Sequence, residues 1–408
     1  MTANAQAERD SLITGFKPYF LITFIVAAVW VGVSPVLIPA YVLSVTGSAT
    51  DVALVLSLMA LGAFAVPVLA NAADRTRAHR PIQMLSLLLA ASYVLLGLTD
   101  RPLVFAIVGM VAGLGLGATN LFLVTYYLGG GYSDKAQADA LARSSRTFLF
   151  GQVSGGLLVA AMLAADLPFE LMFVIAGLLP LVAMALAALT TKPLEERLHA
   201  TMDQKDAGEA QAEDTKKESM SFKDWLLSPF GRVMLGIFLV YAGWAAINGQ
   251  YANYFFGAFG IEPEVSAAAA AIGALIGVVV VGWYAAWFTR SGGLPQFNFH
   301  ALMRVIGGLV LVVLALVLVE GSGLAVLLPM LVFILLMQLN PVQDIAYVSM
   351  AARTAFAGAA AAQGTLAVVF AVAEITGVMS SGLVADGVGW EWVPLVMVVL
   401  AGLGLILG

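Results

Sequence analysis

The sequence predicts an all-α polytopic membrane protein, with twelve transmembrane helices in two six-helix pseudo-repeat bundles. Three observations carry this. The chain of 408 residues is 61% hydrophobic and 11% charged, whereas soluble domains run about 45–50% apolar and about 25% charged. Its mean hydropathy is +0.96. Apolar runs long enough to cross a bilayer, which takes about 20 residues, recur along the whole chain. The cations fall almost entirely on one side of those runs.

The runs stand at 18–45, 52–70, 82–99, 103–128, 144–165, 168–190, 233–257, 265–288, 300–319, 323–343, 358–384 and 392–408. The first follows a polar stretch of mixed charge. It is too long for the apolar part of a signal peptide and lacks a small-residue cleavage site, so it is read as a retained span. Runs 2 and 3 flank a basic knot, "ADRTRAHR". Runs 4 and 5 flank Lys135, Arg143 and Arg146. After run 6 the character changes: residues 191–231 are polar, charged and poor in aromatics, as in a partly disordered linker with a surface helix near 221–228. This gives 1–190 as one bundle, 191–231 as the linker and 232–408 as the second bundle. Six runs follow the linker, and the last ends with the chain.

Of the 19 Lys and Arg residues, 18 fall before run 1 or in turns after even-numbered runs, with Arg304 counted beside the turn between runs 8 and 9. Only Arg101 falls on the other side. The opposite turns carry Asp51, Asp100, Asp166, Glu170, Glu262, Glu264, Glu320, Asp386 and Glu391. Positive charge is retained in the cytoplasm, so this asymmetry predicts a cytoplasmic amino terminus and an even number of spans.

Absences narrow the function. With no cysteine there is no disulfide or thiol chemistry. No Gly-x4-Gly-Lys-Ser/Thr loop is present, so no ATP hydrolysis is expected. The three histidines, His79, His199 and His300, are scattered and suggest no metal site. Neither enzymatic chemistry, a cofactor nor a nucleic-acid partner is expected.

Polar groups inside spans are costly in lipid and are therefore functional candidates. Glu374 stands near the middle of run 11 with no basic neighbour in that run. An isolated carboxyl there can exchange a proton with one aqueous side at a time, as a proton-coupling group must. Run 7 holds "WAAINGQYANYFF". At about 100° per residue, Gln250, Asn253 and Tyr254 share a face, with Asn248 nearby. Amides and phenols on one face suit a neutral ligand in a mostly apolar cavity. Asn120 in run 4, Gln152 in run 5, and Gln338 and Asn340 in run 10 are further candidate lining residues. Trp30 and Trp244 could stack on a ring. In run 5, the small residues Gly151 and Gly155 allow close helix approach.

Twelve spans split six and six, with "ADRTRAHR" between runs 2 and 3, resemble the major facilitator superfamily. Asp74 and Arg75 match its motif at that turn. Ala70 and Arg77 stand where the family has glycines, and Arg77 in a glycine's place predicts a looser turn. The resemblance implies a transporter whose halves rock about a central site. It also implies that Asp74 and Arg75, with Arg77 and Arg80, latch the cytoplasmic face. Arg143, Arg146, Asp344 and Arg353 complete the expected cytoplasmic gate. The run Gln250–Phe255 is similar to oligosaccharide–proton symporters of the superfamily. The resulting expectation is proton-coupled transport of a small neutral or amphipathic solute by a monomer in the bacterial inner membrane. An efflux antiporter, or a non-transporting assembly factor of the same fold, is the alternative reading.

Overall fold

The computed structural model describes residues 3–209, 224, 227–318, 322–340, 346–347, 350–351, 354 and 359–407. Among these there is no β-strand. The first half of the chain forms α1 (Ala3–Asp10), α2 (Phe20–Thr46), α3 (Ala49–Thr76), α4 (His79–Ala90), α5 (Pro102–Gly129), α6 (Asp134–Ala164) and α7 (Phe169–Thr190). Then come α8 (Lys192–Glu209), α9 (Pro229–Asn248), α10 (Tyr251–Phe259), α11 (Pro263–Ser291), α12 (Gly293–Val317), α13 (Gly323–Met337), α14 (Ala359–Val388) and α15 (Val393–Leu407).

Ten helices among the described residues are long and apolar enough to cross a membrane. The other two expected spans hold shorter helices. The third is α4 followed by a one-turn helix, Tyr93–Leu96, and the tenth is α13, with 15 residues.

Serine starts several of these helices. Ser48, Ser133, Ser228 and Ser322 each accept a hydrogen bond from the backbone N–H three residues on, satisfying a donor that the first turn leaves free. Gly47 and Gly260 end α2 and α10 in left-handed conformation (φ 68° and 66°). The turn between α3 and α4 is closed by Arg77 in the same conformation, φ 53° and ψ 36°. The looser turn expected there is thus not formed. Arg77 adopts the tight glycine geometry itself.

Small residues set the packing, since lipid gives no hydrophobic drive for helices to associate. A side chain at Gly151 or Gly155 would collide with the carbonyls of Phe24 and Ala28, so α6 lies directly on α2. Gly62 meets Met110 and Leu114 where α3 crosses α5. In the second half, α9 packs on α14 and α15, and α12 packs on α15. The halves meet at α6 on α11, where Gly156 faces Ala267 and Ala271, at α3 on α14, where Gly382 faces Ala49, Thr50 and Ala53, and at α2 on α10.

The expected linker is helical over its first part. Leu194 and Leu198, one turn apart, are buried, Leu198 against Gly129, so α8 docks beneath α5. Of the expected surface helix at 221–228, only residues 224, 227 and 228 are described.

Candidate functional site

The two ends of the bundle differ chemically. The end carrying α1, α8 and the Arg77 turn, termed the basic end, gathers nearly all of the Lys and Arg, interspersed with acids. The end carrying Gly47, Gly260 and Gly389 is acidic.

At the basic end the charged knot is tied within the first half. His79, 1% exposed, lies 2.7 Å from Asp74 through Nε2 and 3.1 Å from His199 Nε2 of α8 through Nδ1. Arg77 lies 3.4 Å from Asp203, also on α8. The Arg80 side chain donates to the carbonyl of Ala188, and its backbone N–H to Glu195 at 2.7 Å. Arg75 and Arg146 are exposed. Arg143 donates to the Ile13 carbonyl at 3.3 Å and lies over the Phe20 ring. Asp10 of α1 binds Ser133 through its backbone N–H (2.9 Å) and hydroxyl (2.6 Å). Asp74 was expected to help latch the cytoplasmic face together with Arg75, Arg77 and Arg80; in this structure it lies against His79 of its own half. Asp344 and Arg353 lie outside the described residues.

Span 7 is broken. α9 ends at Asn248, and Gln250 takes a non-helical conformation (φ −141°) before α10. Gln250 therefore does not share a helical face with Asn253 and Tyr254. All three are nonetheless buried towards the acidic end. Gln250 donates to Ser381 of α14 at 2.6 Å, and Asn253 donates to the Pro39 carbonyl of α2 at 3.2 Å. In this conformation they fill packed seams rather than an open cavity.

Glu374 is placed differently. On α14, Gly377 packs on Ala242, Ala245 and Ala246 of α9, while Gly382 packs on α3. At about 100° per residue, Glu374 points between these two contact sectors. Val378 and Ser381 on the same face are 1% and 0% exposed, whereas Glu374 is exposed. The burial seen at Val378 and Ser381 thus ends one turn nearer the basic end, where Glu374 is the exposed carboxyl. Trp30, Asn120, Gln152 and Asn248 are half-buried. Trp30 sits in a π-helical turn, Ala28–Val33, near Gly117 of α5.

Of the remaining candidates, Asn340 and Trp244 belong to a network not foreseen from the sequence. Arg304, counted above with the turn before span 9, is the twelfth residue of α12 and 0% exposed. Its Nε donates to His300 Nε2 and its Nη2 to Asn340 Oδ1, both at 2.9 Å. Its guanidinium lies 3.6 Å from the centre of the Trp244 ring. The Tyr347 hydroxyl is 2.6 Å from His300 Nδ1. Asn340 and Trp244 thus hold a buried cation, and Gln338 donates to the Gly273 and Ile334 carbonyls. The available signal was the spacing of His300 and Arg304, i and i+4 on one helix face, with Gly292–Gly293 as the helix start.

Among the described residues no cluster of three potential metal-ligating His, Cys, Asp or Glu side chains occurs. No curated protein matches the sequence. Solved structures share the fold. A nucleoside transporter, NupG, has a TM-score of 0.67 at 13% identity, covering 96% of each chain. A bacterial homologue of the iron transporter ferroportin in the inward-facing state has 0.69 at 13%, covering 98% of each. A POT family transporter in complex with a thioalcohol-conjugated peptide has 0.71 at 14%, covering 96% of this chain and 93% of that one. Residues 19–362 match the sequence profile of the Major Facilitator Superfamily. With this match over most of its length and its helical architecture, the chain belongs to that superfamily of membrane transporters.

Proposed function

We propose that this protein is a proton-coupled secondary transporter of a small neutral or amphipathic solute, working by alternating access in the bacterial inner membrane as a monomer. In this reading the basic end, with the amino terminus, faces the cytoplasm. Glu374 is the proton-coupling group, and Trp30, Asn120, Gln152 and Asn248 contribute to the solute site. The observation that carries the reading is the position of Glu374. It is an exposed carboxyl at mid-helix, one turn from the buried Val378 and Ser381, where the seam between the halves is closed towards the acidic end. Such a group meets one aqueous side at a time when the halves rock. The half-buried candidates Trp30, Asn120, Gln152 and Asn248 are amides and an indole, which favours an uncharged ligand. The nucleoside, iron and peptide transporters of the same fold differ in cargo, so the fold itself does not select a substrate.

The test is uptake into proteoliposomes with an imposed pH gradient, screened over uncharged solutes. Each pH unit supplies about 1.4 kcal/mol per proton, or about tenfold accumulation. Glu374→Gln is expected to bring the accumulation ratio to about one while leaving solute exchange at equilibrium intact. Unchanged pH-driven accumulation would remove Glu374 from the coupling role.

A further inference from the structure

The carboxylate of Asp386 crosses from the second half of the chain to the first. Asp386 lies in the last turn of α14. Its Oδ1 accepts from the backbone N–H of Ala49 at 3.0 Å. Its Oδ2 accepts from the N–H of Thr50 at 2.8 Å and from the Ser48 hydroxyl at 3.0 Å. Ala49 and Thr50 open α3, where the backbone N–H groups have no acceptor within the helix. Ser48 satisfies only Asp51. The start of α3 is therefore completed by a side chain more than 330 residues away. Negative charge at a helix N-terminus also gains from the aligned peptide dipoles. One turn back, Gly382 lets the α14 backbone close directly onto Ala49, Thr50 and Ala53. The Asn253 bond to the Pro39 carbonyl joins the halves at the same end.

We infer that Asp386 is the gate residue of the acidic end. It holds the two halves shut by capping α3 across the seam, and this clasp breaks and reforms in every cycle. The inference rests on the alternating-access reading above. It concerns a positioning residue, remote from Glu374 and from the candidate solute site. It assigns α3 a specific acceptor in one state that is absent in the other.

The chain has no cysteine, so spin labels can be placed freely. One pair at Arg101 and Glu262 reports on the acidic end, and one at Lys192 and Arg290 on the basic end. All four residues are exposed. Distance distributions are recorded in nanodiscs, in acid and in neutral buffer. Losing a hydrogen bond to a charged group corresponds to roughly tenfold or more in an equilibrium. Asp386→Ala is therefore expected to raise the open-to-closed ratio at the acidic end at least about tenfold, with reciprocal closing at the basic end. Ala49→Pro removes one donor from the other side. Proline is accommodated at the first helical position, after the extended Ser48. It should open the acidic end on its own, yet add nothing to Asp386→Ala. Distributions of Asp386→Ala that superimpose on the wild type, while the wild type itself populates two states, overturn the gate. Additive shifts in the double variant overturn the direct contact. If neither pair ever populates two distances in any variant or buffer, it is the alternating-access reading that fails.

Discussion

Arg304 provides a sharp energetic test of the second half. A guanidinium 3.6 Å from the Trp244 ring centre, with both side chains buried, sits where cation–π attraction is strongest, because neither partner is wetted. Desolvated pairs of this kind are worth about 2 kcal/mol, or about 30-fold in an equilibrium constant. Single substitutions cannot isolate that figure. Trp244→Leu also loses the stack on Phe333 and opens space, at a cost of several kcal/mol. Arg304→Met relieves the desolvation of a buried charge, which acts in the opposite direction. A double-mutant cycle cancels both. Reversible unfolding of the wild type, both single variants and the Arg304→Met/Trp244→Leu pair, followed by far-UV circular dichroism in mixed micelles, should give a coupling of about 2 kcal/mol. The companion cycle between Arg304 and Asn340 should give less, about 1 kcal/mol, as is typical of hydrogen bonds within membrane bundles. Coupling to Trp244 within about 0.5 kcal/mol of zero would mean that the ring does not hold the cation, and the argument for this network would fail.

Two further outcomes are expected. Arg77→Ala and Arg77→Gly both lose the contact with Asp203, but only glycine adopts φ 53° without strain. The glycine variant should therefore be more stable by about 1 kcal/mol in the same unfolding assay, and equal stability would contradict the left-handed turn. For Asp10, burial alone would raise the carboxyl's pKa, but hydrogen bonds from Ser133 and Gln6 outweigh it and hold it below its ordinary value. A depressed carboxyl stabilises the folded state above its unfolded value, and that contribution is lost as pH falls through the folded one. The protection factor of the Ser133 amide should thus stay high at neutral pH and fall only in acid below the ordinary carboxylate range; loss of protection near neutral pH would show that the clasp does not depend on this carboxylate.

Much of the architecture was legible because lipid imposes a strict rule: a span must be apolar for about 20 residues and must satisfy its own backbone. The long helices follow from that rule. The close approach of α6 to α2 follows from Gly151 and Gly155. Other features were not legible, for identifiable reasons. Arg304 was placed beside a turn because apolarity was taken to begin at residue 300, whereas α12 starts at Gly293 with amphipathic residues that the bundle itself buries. Gln250 and Asn253 stood out as polar in a span. Whether such a group faces a cavity or a seam depends on which end of the bundle is closed, and no local pattern encodes that. The tight turn at Arg77 was missed because glycine is the usual residue for φ above zero, and here Arg77 itself supplies that geometry.

The π-helical turn at Ala28–Val33 has a consequence for how α2 is shared. A π turn holds one more residue than an α turn, so it shifts the angular phase of everything beyond it by about 100°. Up to and within it, Phe24, Ala28 and Gly32 face α6 in their own half. Beyond it, Pro39 presents its carbonyl to Asn253 of the opposite half. One continuous rod thereby serves two partners that no straight helix of the same sequence could meet together. Straightening 28–33 into α-helix at unchanged length would leave an unbroken, equally apolar helix whose outer part looks the wrong way, whereas deleting one residue there would restore the phase.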